Sequence, residues 1–433
     1  MTDVDGRTVA PGTRYFPERG DYSYEVRHYD LELDYRPGPN RLAGTARLTA
    51  VAVEPLNQVH LDFGPFRVGQ VLVNGERARF AQQGHKLRVT PGRWLAEGRA
   101  FTLEVRYSGN PRPVPSPWGG LGWDQLEDGA LVASQPIGSS SWFPCNDRPS
   151  DKATYRIAVT TASPYTVVCN GQLVSTSRSG SRTTWEFRER APMAPYLASV
   201  QIGRYHLADL PGGVPQRLAA PAGLLTRARL ALGRQDQMMR VFTEWFGPYP
   251  FADYTVVVTE DELEIPIEAQ GMSIFGANHL EGEERLVAHE LAHQWFGNSL
   301  TLSHWRDIWL HEGFAAYAEW LWSEESGGER AEAHARRWHS RLSTRACDFV
   351  LADPGVKRLF DDRVYKRGAL TLHALRRVLG DPAFRSVLRE WTDLYRYGVI
   401  TTGRFTELAG RYAPEPLDAF FMSWLYTEPL PPL

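Results

Sequence analysis

Residues 285 to 296 read Arg285-Leu286-Val287-Ala288-His289-Glu290-Leu291-Ala292-His293-Gln294-Trp295-Phe296, a stretch with neither proline nor glycine to interrupt a helix. Four residues is slightly more than one helical turn. His289 and His293 therefore project from one face about 6 Å apart along the axis, which lets two neutral imidazoles meet a single ion. Glu290 falls to the side of that ion, where a carboxylate can take a proton from water. The bland alternative is a surface helix carrying two solvated histidines.

A second element argues against that alternative. Trp309-Leu310-His311-Glu312-Gly313-Phe314-Ala315-Ala316-Tyr317 follows a polar connection and reads as another helix, offering Glu312 as a third ligand. Two nitrogens and one carboxylate oxygen leave the fourth tetrahedral position open, which is the arrangement of catalytic and not of structural zinc. Asn298 and Asp307 are near in sequence and are candidates to accept the outer N–H groups of the imidazoles, although burial within a helix pair explains them equally well.

Upstream the pattern changes. From about Arg27 to about His206 the chain alternates with period two, as in His28-Tyr29-Asp30-Leu31-Glu32-Leu33 and Phe101-Thr102-Leu103-Glu104-Val105-Arg106-Tyr107. Turn signals at Pro37-Gly38-Pro39-Asn40, Asn74-Gly75, Ser108-Gly109-Asn110 and Asn170-Gly171 separate these segments at the spacing of an antiparallel β-sandwich or saddle. After Pro211-Gly212-Gly213-Val214-Pro215 the residues from about Thr226 to Trp245 take up helical spacing. Tyr254-Thr255-Val256-Val257-Val258-Thr259 is extended, and most of the sequence from Arg285 onward is helix-compatible. The expectation is a multidomain chain, β then α+β: an all-β domain over residues 1–206 and an α-rich domain with a small sheet over residues 207–433.

The bulk composition narrows the function. With 433 residues, 42% hydrophobic and 23% charged, and a net charge of -3, the chain has the makeup of a globular protein and no electrostatic footprint for nucleic acid. No apolar run is long enough to span a membrane, and the first residues lack a basic start and apolar core, so a cytoplasmic setting is expected. Cys145, Cys169 and Cys347 are too far apart for a thiolate metal site and are read as small buried residues.

The run His289-Glu290-Leu291-Ala292-His293-Gln294-Trp295-Phe296-Gly297-Asn298, with Trp309-Leu310-His311-Glu312-Gly313 eighteen residues beyond His293, resembles the metal-binding signature of the M1 family of aminopeptidases, which are zinc metallopeptidases of the gluzincin type. Ser141-Trp142-Phe143-Pro144-Cys145-Asn146-Asp147-Arg148-Pro149 with Lys152-Ala153 is similar to that family's N-terminal landmark, and Val364-Tyr365-Lys366-Arg367-Gly368 to its Tyr-x-x-Gly helix start. The resemblance spans nearly the whole chain. It implies an N-terminal β-saddle followed by a thermolysin-like, mainly α-helical catalytic domain, one zinc ion per chain held by His289, His293 and Glu312, and Glu290 as general base.

The same resemblance implies that Tyr365 stabilises the oxyanion, that Gln135 lines the pocket for the first substrate residue, and that Glu268 binds the free α-amine of a peptide or aminoacyl substrate. The family's Gly-x-Met-Glu-Asn strand departs here, since the matching stretch is Ile265-Pro266-Ile267-Glu268-Ala269 and only Glu268 keeps its register. Pro266 lacks a backbone donor, so the edge that pairs with a peptide is expected to be altered. Glu262 and Glu264 read as solvated loop charges. The chain given ends at Leu433, where many family members continue into a helical domain, and a more open site is the expectation. Rival readings on the same zinc site are a specialised biosynthetic cleavage of one peptide, opening of an epoxide, and a non-catalytic binding protein that keeps the fold. The intact Glu290 and ligands weigh against the last.

Overall fold

The period-two alternation around His28 becomes the strand Tyr24–Arg36, in which Tyr29, Leu31, Leu33 and Tyr35 point into the core while their neighbours face outward. The computed structural model that contains it describes residues 15–282, 284–346 and 348–433. Two compact units are present: one holds residues 19–230 and 251–280, and the other holds residues 231–250 and 281–433 together with the described residues up to Glu18.

The first unit is built of sheets. Tyr24–Arg36 lies inside an eight-stranded sheet, antiparallel to Arg41–Ala52 and parallel to Ala153–Ala162. That parallel pair departs from the antiparallel expectation, because the chain returns to this neighbour by a long excursion and not by a hairpin. Asn74 and Gly75 both have positive φ, 51° and 82°, which is the hairpin turn that Asn-Gly favours between Arg67–Val73 and Glu76–Arg77.

A separate five-stranded sheet of this unit orders Tyr205–Leu210, Gln216–Pro221, Tyr254–Thr259, Met272–Gly276 and, at its edge, Ile267–Ala269. Position 207 therefore falls within a strand. Of the segments after it the sequence reading found only Tyr254–Thr259. Met272–Gly276 is buried at every position and shows no alternation, and Gln216–Pro221 has no β-branched residue.

The second unit is helical. The helical spacing from about Thr226 to Trp245 becomes two helices, α1 (Leu225–Ala231), which falls almost wholly in the first unit, and α2 (Gln235–Phe246) of the second, separated by a turn at residues 232–234 where Gly233 weakens helix continuity. α2 buries Met238, Met239, Phe242, Trp245 and Phe246 on one side, and Phe242 and Phe246 meet Trp295 edge to face. Four more helices frame the site: α3 (Glu284–Ala292), α4 (Trp309–Glu325), α5 (Ala331–Leu342) and α6 (Asp362–Leu379). α4 is buried all round from Trp309 to Trp322, as befits the centre of a helical layer.

Cys145 and Cys169 are buried thiols, as expected, and Cys347 lies outside the described residues. Among the described residues no helix is long and apolar enough to cross a membrane.

Candidate metal centre

α3 ends sooner than the sequence suggested. The helix closes at Ala292 as Gln294 and Trp295 turn to the i−3 carbonyls of Leu291 and Ala292, but His293 still donates its N–H to His289 O at 3.2 Å. The one-turn separation of the two histidines is thereby kept. Their rings stand 4.8 Å apart at 76°.

Glu312 comes from the first turn of α4. Its Oε2 lies 3.5 Å from His289 Nε2 and 3.5 Å from His293 Nε2, too far for direct hydrogen bonds. Donors placed about 2.0–2.1 Å from one ion at the tetrahedral angle stand about 3.3–3.4 Å from each other. One ligand atom from each of the three residues falls within a 4.8 Å cluster, and all three side chains are buried. The donor chemistry and spacing fit zinc.

Glycine sets the approach of α4 to α6. A Cβ on Gly313 would come within 2.8 Å of Gly368 Cα, and one on Gly368 within 2.6 Å of Gly313 Cα. Only the absence of both side chains lets the backbones touch there, next to Glu312 and one turn from Tyr365. Tyr365 in turn stacks on His289, ring centroids 6.0 Å apart and 19° between planes. Asp361 caps the start of α6 by accepting the Arg363 N–H, which fixes the turn that carries Tyr365.

The outer nitrogens of the imidazoles are held. His289 Nδ1 is 2.8 Å from Glu319 Oε1, and His293 Nδ1 is 3.0 Å from the Phe296 carbonyl, so Nε2 of each ring is directed to the cluster. Asp307 has another role: it accepts from the Thr402 hydroxyl at 2.6 Å. Glu319 is the residue the sequence reading missed, and its signal is the seven-residue step from Glu312, two turns on along the same face of α4.

Burial works against the Glu319 charge, but Lys366 at 3.5 Å, then His289, then Arg285 at 3.2 Å hold its carboxyl down at about 2. Burial likewise opposes charge on Glu312, and His293 and His289 outweigh it and keep it well below the usual carboxylate range. His289 is itself raised: burial disfavours the imidazolium, and the carboxylates of Glu312 and Glu319 more than offset that.

His289, His293, Glu312, Glu290 and Tyr365 are thus gathered in the helical unit, with Glu290 buried on α3. Gln135 and Glu268 belong to the β unit. Glu268 is half-buried on the edge strand Ile267–Ala269, opposite Ser273, and Pro266 precedes the strand instead of interrupting it. Gln135 has a buried amide nitrogen with no hydrogen-bond partner among the described residues. Glu262 and Glu264 are exposed, as expected of loop charges.

A two-histidine, one-glutamate centre borne on paired helices defines a gluzincin-type metal site. Residues 25–197 match the model of the peptidase M1 N-terminal domain, and residues 230–424 match that of the peptidase family M1 domain. The M1 zinc metallopeptidase of Deinococcus radiodurans is 33% identical, with a TM-score of 0.91 over 97% of this chain and 98% of that one; a mutant of it has been solved bound to a Tyr-Ser-Ala substrate. The probable aminopeptidase 2 of Sulfurisphaera tokodaii and the leucyl aminopeptidase of Saccharolobus solfataricus are each 24% identical, over 87% and 86% of this chain and 50% of each relative. The chain spans about half the length of these curated relatives. It belongs to peptidase family M1.

Proposed function

We propose that the protein is a zinc-dependent aminopeptidase that hydrolyses the N-terminal peptide bond of peptide or aminoacyl substrates, with one zinc ion held by His289, His293 and Glu312. The observation that carries this reading is the convergence of both imidazole Nε2 atoms on Glu312 Oε2 at 3.5 Å, with Glu290 next to His289 on α3 and Tyr365, from α6, stacked on the His289 ring. Zinc, when bound, supplies Lewis acidity and makes water acidic enough to act at neutral pH.

The chain's own residues divide the remaining work. Glu290 takes the proton of the attacking water and passes it to the leaving amine. Tyr365 donates its phenolic O–H to the carbonyl oxygen as negative charge builds there. Glu319 holds His289 in the tautomer whose Nε2 is free to ligate. Glu268 pairs with the substrate ammonium group and so selects the first peptide bond, a role supported by its kept register on an edge strand. Gln135 lines the pocket of the first residue, and its buried amide nitrogen, without a hydrogen-bond partner among the described residues, supports that role.

The domain division proposed for this activity is 1–206 and 207–433, supported by the two family models, which fall on either side of residue 207. A cytoplasmic setting is proposed on the sequence reading alone.

Hydrolysis of aminoacyl-aminocoumarin reporters against their N-acetylated forms tests the reading. Cleavage confined to free amines and lost in Glu290→Gln supports it. Equal cleavage of the acetylated forms removes the role of Glu268.

A further inference from the structure

Glu319, which holds the outer nitrogen of His289, also lines a cavity of about 750 Å³. None of the metal ligands lines it, nor do Glu290 and Tyr365, so it lies behind the imidazole and apart from the reacting side of the centre. All of its walls belong to the helical unit. Sites for whole small molecules measure about 300–1,000 Å³, and this cavity has that size. The indoles of Trp320, Trp322 and Trp338 supply its apolar wall.

Charge in the lining is unbalanced: five guanidinium or ammonium groups stand against three carboxylates. The groups just outside do not correct this. Arg337 pairs with Glu329 at 2.8 Å and Asp362 with Arg345 at 3.4 Å, adding one anion and one cation, so the excess stays at two positive charges. Arg234 is answered by Glu284 at 3.1 Å. Arg285 at 3.2 Å and Lys366 at 3.5 Å share the single carboxylate of Glu319, which His289 also uses. Lys366 is only 5% exposed, so its charge is buried with part of a partner. Arg341 has none: its guanidinium lies 5.0 Å from the Trp338 ring and meets no carboxylate or other acceptor among the described residues. Lys366 Nζ lies 5.1 Å from that ring, so the two least compensated cations meet at one indole.

We propose that this cavity binds a small organic phosphate, its dianionic head held by Arg341 and Lys366 beside Trp338 and its organic part against the indoles, and that occupancy strengthens zinc binding from behind through Glu319. A dianion matches the excess of two charges, and guanidinium and ammonium N–H groups are strong donors to phosphate oxygens. Inorganic phosphate offers the same charge without an organic part; the size of the cavity and its indole wall favour the ester. The coupling follows from charge. A dianion that draws on Lys366 and Arg285 leaves Glu319 a stronger acceptor for the His289 N–H, and negative charge placed near a cation site favours the cation. Coupling is reciprocal, so zinc should tighten the phosphate by the same factor. Binding of the ester does not depend on the aminopeptidase reading, and its coupling depends only on the zinc assignment.

Calorimetric titration of the zinc-loaded protein with phenyl phosphate, inorganic phosphate and benzoate tests the site. Phenyl phosphate is expected to bind about tenfold tighter than either of the others, to weaken at high salt, and to lose about ten- to a hundredfold in Arg341→Gln. Arg341→Lys should recover part of that loss. Arg336→Gln makes the same change of charge on an exposed residue of α5 outside the lining, and should bind as the parent does. Metal-free protein is expected to bind the ester about fivefold more weakly. Binding that survives in Arg341→Gln and vanishes with the metal overturns the site, since the phosphate then sits on the ion. A loss in Arg336→Gln as large as in Arg341→Gln overturns it too, as general attraction to positive charge. Equal binding of inorganic phosphate overturns the organic ligand, equal binding of benzoate the dianion, and equal affinity with and without zinc the coupling.

Discussion

Two buried clusters of charge, one in each compact unit, show what separates a scaffold from a site. In the β unit Asp62 is fully buried and answered from within: Lys86 Nζ is 2.7 Å from Oδ1, and the Gly20 and Asp147 N–H groups donate to Oδ2 at 2.8 and 3.0 Å. In the helical unit the groups nearest Glu312 are two imidazole nitrogens at 3.5 Å, while the hydrogen bonds that fix those rings are made on their far sides. Charge that is paired at contact distance holds strands together. Charge that converges without contact, braced from behind, is arranged for something between its members.

That contrast can be broken, and the largest effect is expected at Glu290. Glu290→Gln should lower kcat about a hundred- to ten-thousandfold with zinc content unchanged, since Glu290 is proposed as base and not as ligand. Loss of the metal in the variant would make it a ligand. Tyr365→Phe should cost about a hundred- to a thousandfold in kcat with little change in KM, as removal of one oxyanion donor does. Glu319→Gln should weaken zinc affinity about ten- to a hundredfold, read by chelator competition, because the brace on His289 loses its charge.

A pH series sharpens the account further. Zinc requires a neutral imidazole, and the His289 pKa is raised above its ordinary 6.5 in the metal-free protein. Protons therefore compete with the ion from above that value downward. Apparent zinc affinity should fall by about tenfold for each unit of pH below the raised His289 pKa, per proton displaced, and level off above that pKa. The smallest effect on the centre is expected from Asp62→Asn, which should leave zinc content unaltered and lower unfolding stability by about 3 kcal/mol, the low end for a broken buried pair because Lys86 keeps part of its hydration.

Much of this was legible in the sequence because it is local. The His289–His293 step, the two helices, the alternation of Tyr24–Arg36 and the Asn74-Gly75 turn each follow from neighbours in the chain. What was not legible depends on distant partners. Glu319 reads as one more acid on a helix until His289 is placed against it, and the Gly313–Gly368 contact exists only where two helices cross. Strand Met272–Gly276 hid for the opposite reason: burial on both faces erased the alternation that reveals a strand. At Ile265 and Ala269 the sequence departs from the family pattern around Glu268, and the structure keeps Glu268 on a paired edge strand all the same.

The most direct test of the central claim is metal content and aminoacyl-reporter turnover measured on one sample, before chelation, after it, and after zinc is restored. The account predicts one zinc per chain, activity abolished with its removal and recovered with its return, and neither content nor recovery in His293→Ala. Activity that survives in a sample containing no zinc would contradict it.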